Sequence, residues 1–164
     1  MSSDGQYDLD ILLELRQKER QNAEASYAEA LQHYHQAGEI LRRAEEEHHQ
    51  LVEKRRHQTR EFDRTAVTGE SNLAGIQRFE YFLEGLRDLE SQALQTIERA
   101  RGRQQVAQQK MRRSHEAMLE AIKGLKAVEK HHEAWKEEQK ILEERRASNQ
   151  MDEIAARLWQ GQQP

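Results

Sequence analysis

The chain contains no cysteine, and its single proline is the last residue, Pro164. Without cysteine there are no disulfides, no thiol nucleophile and no Cys-ligated zinc, which fits a reducing compartment. Glycine is scarce at 8 residues. Disordered chains are richer in both proline and glycine, whereas long helices exclude proline. Aromatic residues make up 5%, and both tryptophans, Trp135 and Trp159, fall near the C-terminus. Hydrophobic residues are 35% and the mean hydropathy is −1.11, too little apolar surface for a compact core to offset chain entropy. No apolar run approaches the roughly 18 residues of a membrane span, so no direct membrane insertion is expected. Met1-Ser2-Ser3-Asp4-Gly5 lacks the basic and apolar regions of a signal peptide, and the expected location is cytoplasmic. Neither sign of charge dominates, with 26 Lys and Arg against 30 Asp and Glu, so an overall basic footprint for nucleic acid is missing.

What is present is a period. Steps of seven from Ile76 reach Leu83, Glu90, Ile97, Gln104, Met111, Met118, Leu125, His132 and Gln139. The residues three beyond each are Phe79, Leu86, Ala93, Ala100, Ala107, Ser114, Ala121, Val128, Trp135 and Leu142, all apolar but one. Such a sustained single register is a coiled-coil signature. The small residues between Ala93 and Ala121 permit close approach of a partner helix. The first half repeats the pattern less cleanly, with Tyr27, Tyr34, Leu41, His48, Arg55 and Phe62 in one row and Ala30, Ala37, Ala44, Leu51 and Gln58 in the other. Leu31, Gly38 and Val52 widen that stripe, and Asp8 and Asp10 suit a helix start, where the macrodipole is positive.

The two registers do not join across Thr65-Ala66-Val67-Thr68-Gly69-Glu70-Ser71-Asn72, which gathers Gly, Ser, Thr and Asn. The expectation is therefore an all-α, single-domain antiparallel coiled-coil hairpin over 1–164. Helix one runs over about 7–64, the turn over about 65–72, and helix two over about 73–158, with Ser71 or Asn72 as cap. Folding back near residue 68 sets Tyr27 against Lys110–Met111, Leu41 against Thr96–Ile97, Leu51 against Leu86, and Phe62 near Ile76. On that register helix two outruns helix one from about residue 131. Trp135, Leu142, Ile154, Leu158 and Trp159 are then left without an internal partner, and an exposed apolar stripe implies a partner from outside. A parallel homodimeric scaffold is the alternative arrangement of the same helices.

Chemistry-bearing constellations are thin. His48-His49 and His131-His132 are adjacent pairs whose side chains point about 100° apart on a helix, and the hairpin keeps the two pairs far apart, so no metal site is expected. There is no phosphate-binding G-x-x-x-x-G-K-[ST] loop, and Gly69-Glu70-Ser71-Asn72-Leu73 lacks the second glycine of a nucleophile elbow. No catalytic residue and no cofactor are expected, and the chain reads as a non-enzyme. Two basic patches, one of Lys54, Arg55, Arg56 and Arg60 and one of Arg99, Arg101, Arg103, Lys110, Arg112 and Arg113, lack an aromatic platform for bases; acidic protein surfaces suit them better.

Three segments carry a family likeness. Tyr7-Asp8-Leu9-Asp10-Ile11-Leu12-Leu13-Glu14-Leu15-Arg16-Gln17-Lys18-Glu19 resembles the opening of the flagellar export protein FliJ family, F-x-L-x-x-L-L-x-L-R followed by charge, with Tyr7 standing where the family has Phe. Phe79-Glu80-Tyr81-Phe82-Leu83-Glu84-Gly85-Leu86 resembles the family's aromatic-leucine patch after its turn, and Gln150-Met151-Asp152-Glu153-Ile154-Ala155 resembles its close. The injectisome counterpart, the YscO family, has the same layout. The resemblance implies a stalk standing in the ring of a FliI-like export ATPase of a type III secretion system. Such a stalk links the ring to an FlhA-like export gate, binds export chaperones, and lies peripherally at the cytoplasmic face of the inner membrane. By that likeness Phe79, Phe82, Leu83 and Leu86 would meet the gate, although Phe79, Leu83 and Leu86 also lie on the seam rows while Phe82 does not. The free ends, with Leu12, Leu13, Arg16, Trp135, Leu142, Arg145, Asp152 and Glu153, would enter the ATPase ring.

Overall fold

The computed structural model describes the backbone of residues 3–69 and 72–162, and side chains from Asp8 onward within those ranges. It contains two helices, α1 (Ser3–Val67) and α2 (Leu73–Gln160), and no strand among the described residues. The all-α two-helix hairpin expected from the heptads is the observed fold.

The helix ends explain where the chain turns. The Thr68 N–H donates to the Arg64 carbonyl at 3.2 Å, closing the last α-helical turn of α1. Gly69 then takes φ +76°, a left-handed conformation open to glycine at no steric cost, and its N–H donates to the Ala66 carbonyl. Arg64 sits in the last turn, where a cation suits the negative end of the helix dipole. At the start of α2 the Asn72 side-chain oxygen accepts the Gly75 N–H at 2.8 Å, so Asn72 is the N-cap. Ser71, the other capping candidate, lies outside the described residues. Helix α1 thus continues three residues past the expected Arg64, because Thr65 and Thr68 return their hydroxyls to the carbonyls of Phe62 and Thr65 and are accommodated in the helical turn.

The chain packs as two compact units, residues 25–115 and residues 1–24 with 116–164. In the first, both heptad rows of α1 are covered: Tyr27, Tyr34, Leu41, His48, Arg55 and Phe62 are half-buried, and Ala44 is buried. From α2, Leu86, Ile97 and Ala100 are buried opposite them. Phe62 and Phe79 stack with ring centroids 3.9 Å apart and planes 8° from parallel, and Tyr27 lies 5.0 Å from His115. Arg55 joins Glu90 at 2.6 Å and Arg101 joins Glu45 at 3.3 Å across the helices. At Gly38 a Cβ would sit 3.2 Å from the Gln104 side-chain amide nitrogen, so the missing side chain makes room for Gln104 from α2.

These contacts correct the register. Tyr27 meets His115 rather than Lys110–Met111, and Phe62 meets Phe79 rather than Ile76. The displacement arises because α1 extends to Val67, which moves the fold-back point toward α2. The heptad rows themselves are kept, since Leu83, Leu86, Ile97 and Ala100 all remain half-buried or buried.

In the second unit, Leu125 is buried, with Met118, Ala121, Ile122 and Val128 half-buried around it. The Arg16 side chain crosses over Gly124, its terminal nitrogen 3.7 Å from where a Cβ would stand, and it donates to Glu19 at 2.8 Å. Arg20 pairs with Glu24 at 3.7 Å. The covered stretch of α2 ends at Gln139; from Lys140 to Gln162 every residue is exposed.

Candidate partner surfaces

Near the turn the four aromatic and leucine residues assigned to a gate contact divide. Leu86 is 3% exposed and Phe79 is stacked on Phe62, so both side chains are occupied within the hairpin seam. Leu83 is half-buried. Phe82 is exposed, tilted against Phe79 at 6.4 Å, and beside it Tyr81 is 80% exposed. Phe82 and Tyr81 therefore form the surface that this patch offers. Tyr81 was hidden within the likeness to the FliJ segment; its position off both seam rows was the available signal.

At the other end, Leu12, Leu13, Arg16 and Trp135 are half-buried within their unit. Trp135 is not part of the uncovered tail. It is half-buried and lies 6.3 Å from the His132 ring at an interplanar angle of 19°. His132 is itself buried at 8% and its Nε2 lies 2.8 Å from Asp10 Oδ1. Because α1 already begins at Ser3, four residues before the expected start, Asp10 lies two turns inside the helix and serves as partner to a seam histidine rather than as a helix-start charge.

Leu142, Arg145, Asp152 and Glu153 are exposed on the uncovered tail. There the heptad rows fail: the next seam positions after Gln139 and Leu142 are Arg146 and Asn149. A new stripe begins instead, with Met151, Ile154, Ala155, Leu158 and Trp159 at helical i, i+3, i+4, i+7, i+8 spacing. Leu158 is 66% and Trp159 69% exposed. Asp152 and Glu153 flank this stripe at the start of its first turn. A helix whose apolar face is bare in water is stabilised by whatever covers that face.

A family model described as YscO-like protein matches residues 4–164. The chain belongs to the YscO-like family. That family is stalk-like and belongs to type III secretion. The likeness of its opening segment to the FliJ family points to the same stalk layout, and the family match falls on the YscO side of it. No curated protein and no solved structure matches the chain.

Among the described residues no group of three or more His, Asp or Glu side chains is placed to hold a metal ion, and no helix is long and apolar enough to cross a membrane. An open groove of about 1030 Å³ lies within the 25–115 unit, between Ser26–His33 of α1 and Arg99–Ser114 of α2. It is open along its length and so does not exclude water as a catalytic pocket must. Elsewhere on α1, Glu39 accepts a hydrogen bond from Arg42 at 3.0 Å. That bond and the guanidinium charge hold the Glu39 carboxyl below the usual glutamate range.

Proposed function

We propose that this YscO-like protein is the stalk and coupling component of a type III secretion apparatus of the injectisome kind, joining the export ATPase ring to the membrane export gate and to export chaperones. The observation that carries the reading is the uncovered end of α2, whose Met151–Trp159 stripe lacks any partner among the described residues. A family match over 4–164 supplies the machine in which such a helix is used. In this reading the tail, with Leu142, Arg145, Asp152 and Glu153 beside the stripe, enters the ATPase ring, and the covered layer of Leu12, Leu13, Arg16 and Trp135 stiffens the shaft beneath it. Phe82 and Tyr81 meet the gate, while Phe79, Leu83 and Leu86 hold them in place from within the seam. The protein works without a cofactor and is held peripherally at the cytoplasmic face of the inner membrane through its partners.

The flagellar version of the same machine is the second reading, favoured by the likeness of Tyr7–Glu19 to the FliJ opening. Deleting the gene separates the two: loss of injectisome secretion with normal swimming supports the first, and loss of flagellar assembly supports the second. The function itself is tested with the organism's own export ATPase. The full chain should co-elute with it and raise its turnover, and Leu158→Ala with Trp159→Ala should weaken both effects. Absence of both binding and stimulation would remove the stalk role and leave a coiled-coil scaffold.

A further inference from the structure

The groove between Ser26–His33 and Arg99–Ser114 has a charge and a floor that the stalk role does not use. Arg99, Arg103, Lys110 and Arg113 line it from α2, spaced so that they follow one helix face for about 20 Å. Among the described residues none of the four has a carboxylate within ion-pairing distance. Their neighbour Arg101, outside the groove, pairs with both Glu45 and Glu98. The groove's one carboxylate, Glu29, lies 3.6 Å from His33 on its own helix. A row of four cations thus lies along one groove with no carboxylate among the described residues placed to neutralise it.

The floor between them is small: Ala30, Gly102 and Ala107. Gly102 is the informative residue. Glycine weakens a helix interior, and internal crowding does not require it here, because a Cβ at Gly102 would meet nothing within 4 Å. Gly38 and Gly124, by contrast, each face a side chain from the opposite helix. Space at Gly102 therefore opens outward, into the groove, where it would let another backbone come close.

We infer that this groove is a docking site for an acidic amphipathic helix of a partner protein, which lies along α2 with a small-residue face toward Gly102 and carboxylates toward Arg99, Arg103, Lys110 and Arg113. Charge complementarity selects the occupant, since four free cations reject a basic or neutral segment and accept an acidic one. The small floor selects a helix over an extended or disordered acidic tail, because only a packed backbone uses the absence of a side chain at Gly102. Val106, exposed among the cations, supplies the apolar contact that a polyanion would not need.

The chain has no cysteine, so single introduced cysteines label it uniquely. The probe is a synthetic peptide of about three heptads, with alanine on one face, glutamates flanking it and a fluorophore at its N-terminus, titrated into the intact protein. It should bind saturably at one site per chain, cross-link to a photoreactive label on Val106→Cys, and leave the same label on Glu84→Cys unmodified. Arg99→Glu with Arg103→Glu should weaken binding about tenfold or more, as loss of two charge contacts requires. Gly102→Leu should weaken it comparably, while Gly85→Leu, at a glycine equally open but outside the groove, should not. Circular dichroism of these variants reports that the helices are retained, since all four positions are exposed. The inference is overturned by no saturable binding, by equal binding of the charge-reversed or Gly102→Leu protein, or by equal or tighter binding of polyglutamate of the same length. It is likewise overturned if a single-stranded oligonucleotide binds more tightly, which would make the surface a general polyanion site.

Discussion

Residues 116–139 and 140–160 lie on one helix, carry apolar residues at helical spacing, and differ in what covers them. Over 116–139 the apolar positions follow the seven-residue rows, and α1 shields them: Leu125 is 5% exposed and His132 8%. Over 140–160 the rows break at Arg146 and Asn149, and the stripe that replaces them is bare. The heptad repeat answers to a partner inside the chain and stops where that partner stops. The later stripe, shifted to Met151, Ile154, Leu158 and Trp159, is patterned for contact with something else. A change of register within one helix thus coincides with the boundary between residues covered within the chain and residues left bare.

The sharpest way to break this comparison is to truncate one residue of the same type on each side. Leu125→Ala should cost about 2–5 kcal/mol through lost burial and the cavity left behind, read as a fall in the thermal midpoint of helicity. Leu158→Ala should change the isolated chain by no more than about 0.5 kcal/mol, as at other exposed positions, while weakening the ATPase complex. Equal effects would mean that the tail is already covered within the chain. A smaller loss is expected at the last covered layer. A double-mutant cycle on His132→Ala and Asp10→Ala should return a coupling of about 0.5–1.5 kcal/mol for the hydrogen bond, and a coupling near zero would show that the layer is frayed in solution. Asn72→Ala should cost about 1 kcal/mol by removing the cap that starts α2, with Asn72→Ser nearly neutral. In the opposite direction, Gly85→Ala should stabilise by about 0.5–1 kcal/mol, since no atom lies within 4 Å of the added methyl.

The smallest expected effect concerns pH. The Glu39 pKa is lowered in the folded chain, first by the hydrogen bond from Arg42 and then by its charge. A carboxyl lowered in this way stabilises the fold at pH values above its unfolded range, and the contribution is lost as pH falls through the folded value. The pair is on the surface, so the change is read as a titration and not as unfolding. The Glu39 carboxyl followed by NMR should titrate below an ordinary glutamate, and Arg42→Ala should return it upward.

Much of the fold was legible before the structure because a two-helix seam writes itself as period. Leu83, Leu86, Ile97, Ala100 and Leu125, picked out by steps of seven and three, are all half-buried or buried. What the pattern could not supply was the pairing between helices, since rows of seven look the same after any slide along the seam. That pairing depends on how far α1 runs before Gly69 turns it, and the hydroxyl-rich Thr65-Ala66-Val67-Thr68 segment read as loop while its side chains bond back into the helix. The displacement hid the Asp10–His132 contact, and Trp135, expected on the bare tail, is half-buried. Introduced cysteines check the correction directly: Phe62→Cys with Phe79→Cys should close within one chain, and Leu51→Cys with Leu86→Cys should not. Cross-linking only between chains would favour the parallel dimer. The turn patch was half legible, since distance from the seam rows separated Phe82 from Phe79 and Leu86. The same distance from the rows holds for Tyr81, but the family likeness points to Phe79, Phe82, Leu83 and Leu86 instead.

The central claim is that 140–160 is an uncovered helix waiting for the ATPase ring, and amide hydrogen exchange of the intact chain with and without its cognate export ATPase tests it most directly. Alone, the amides of 140–160 should exchange far faster than those of 118–135, and on adding the ATPase the tail should become protected while the seam changes little. Slow exchange of the tail in the isolated chain, or no added protection when the ATPase is bound, would contradict it.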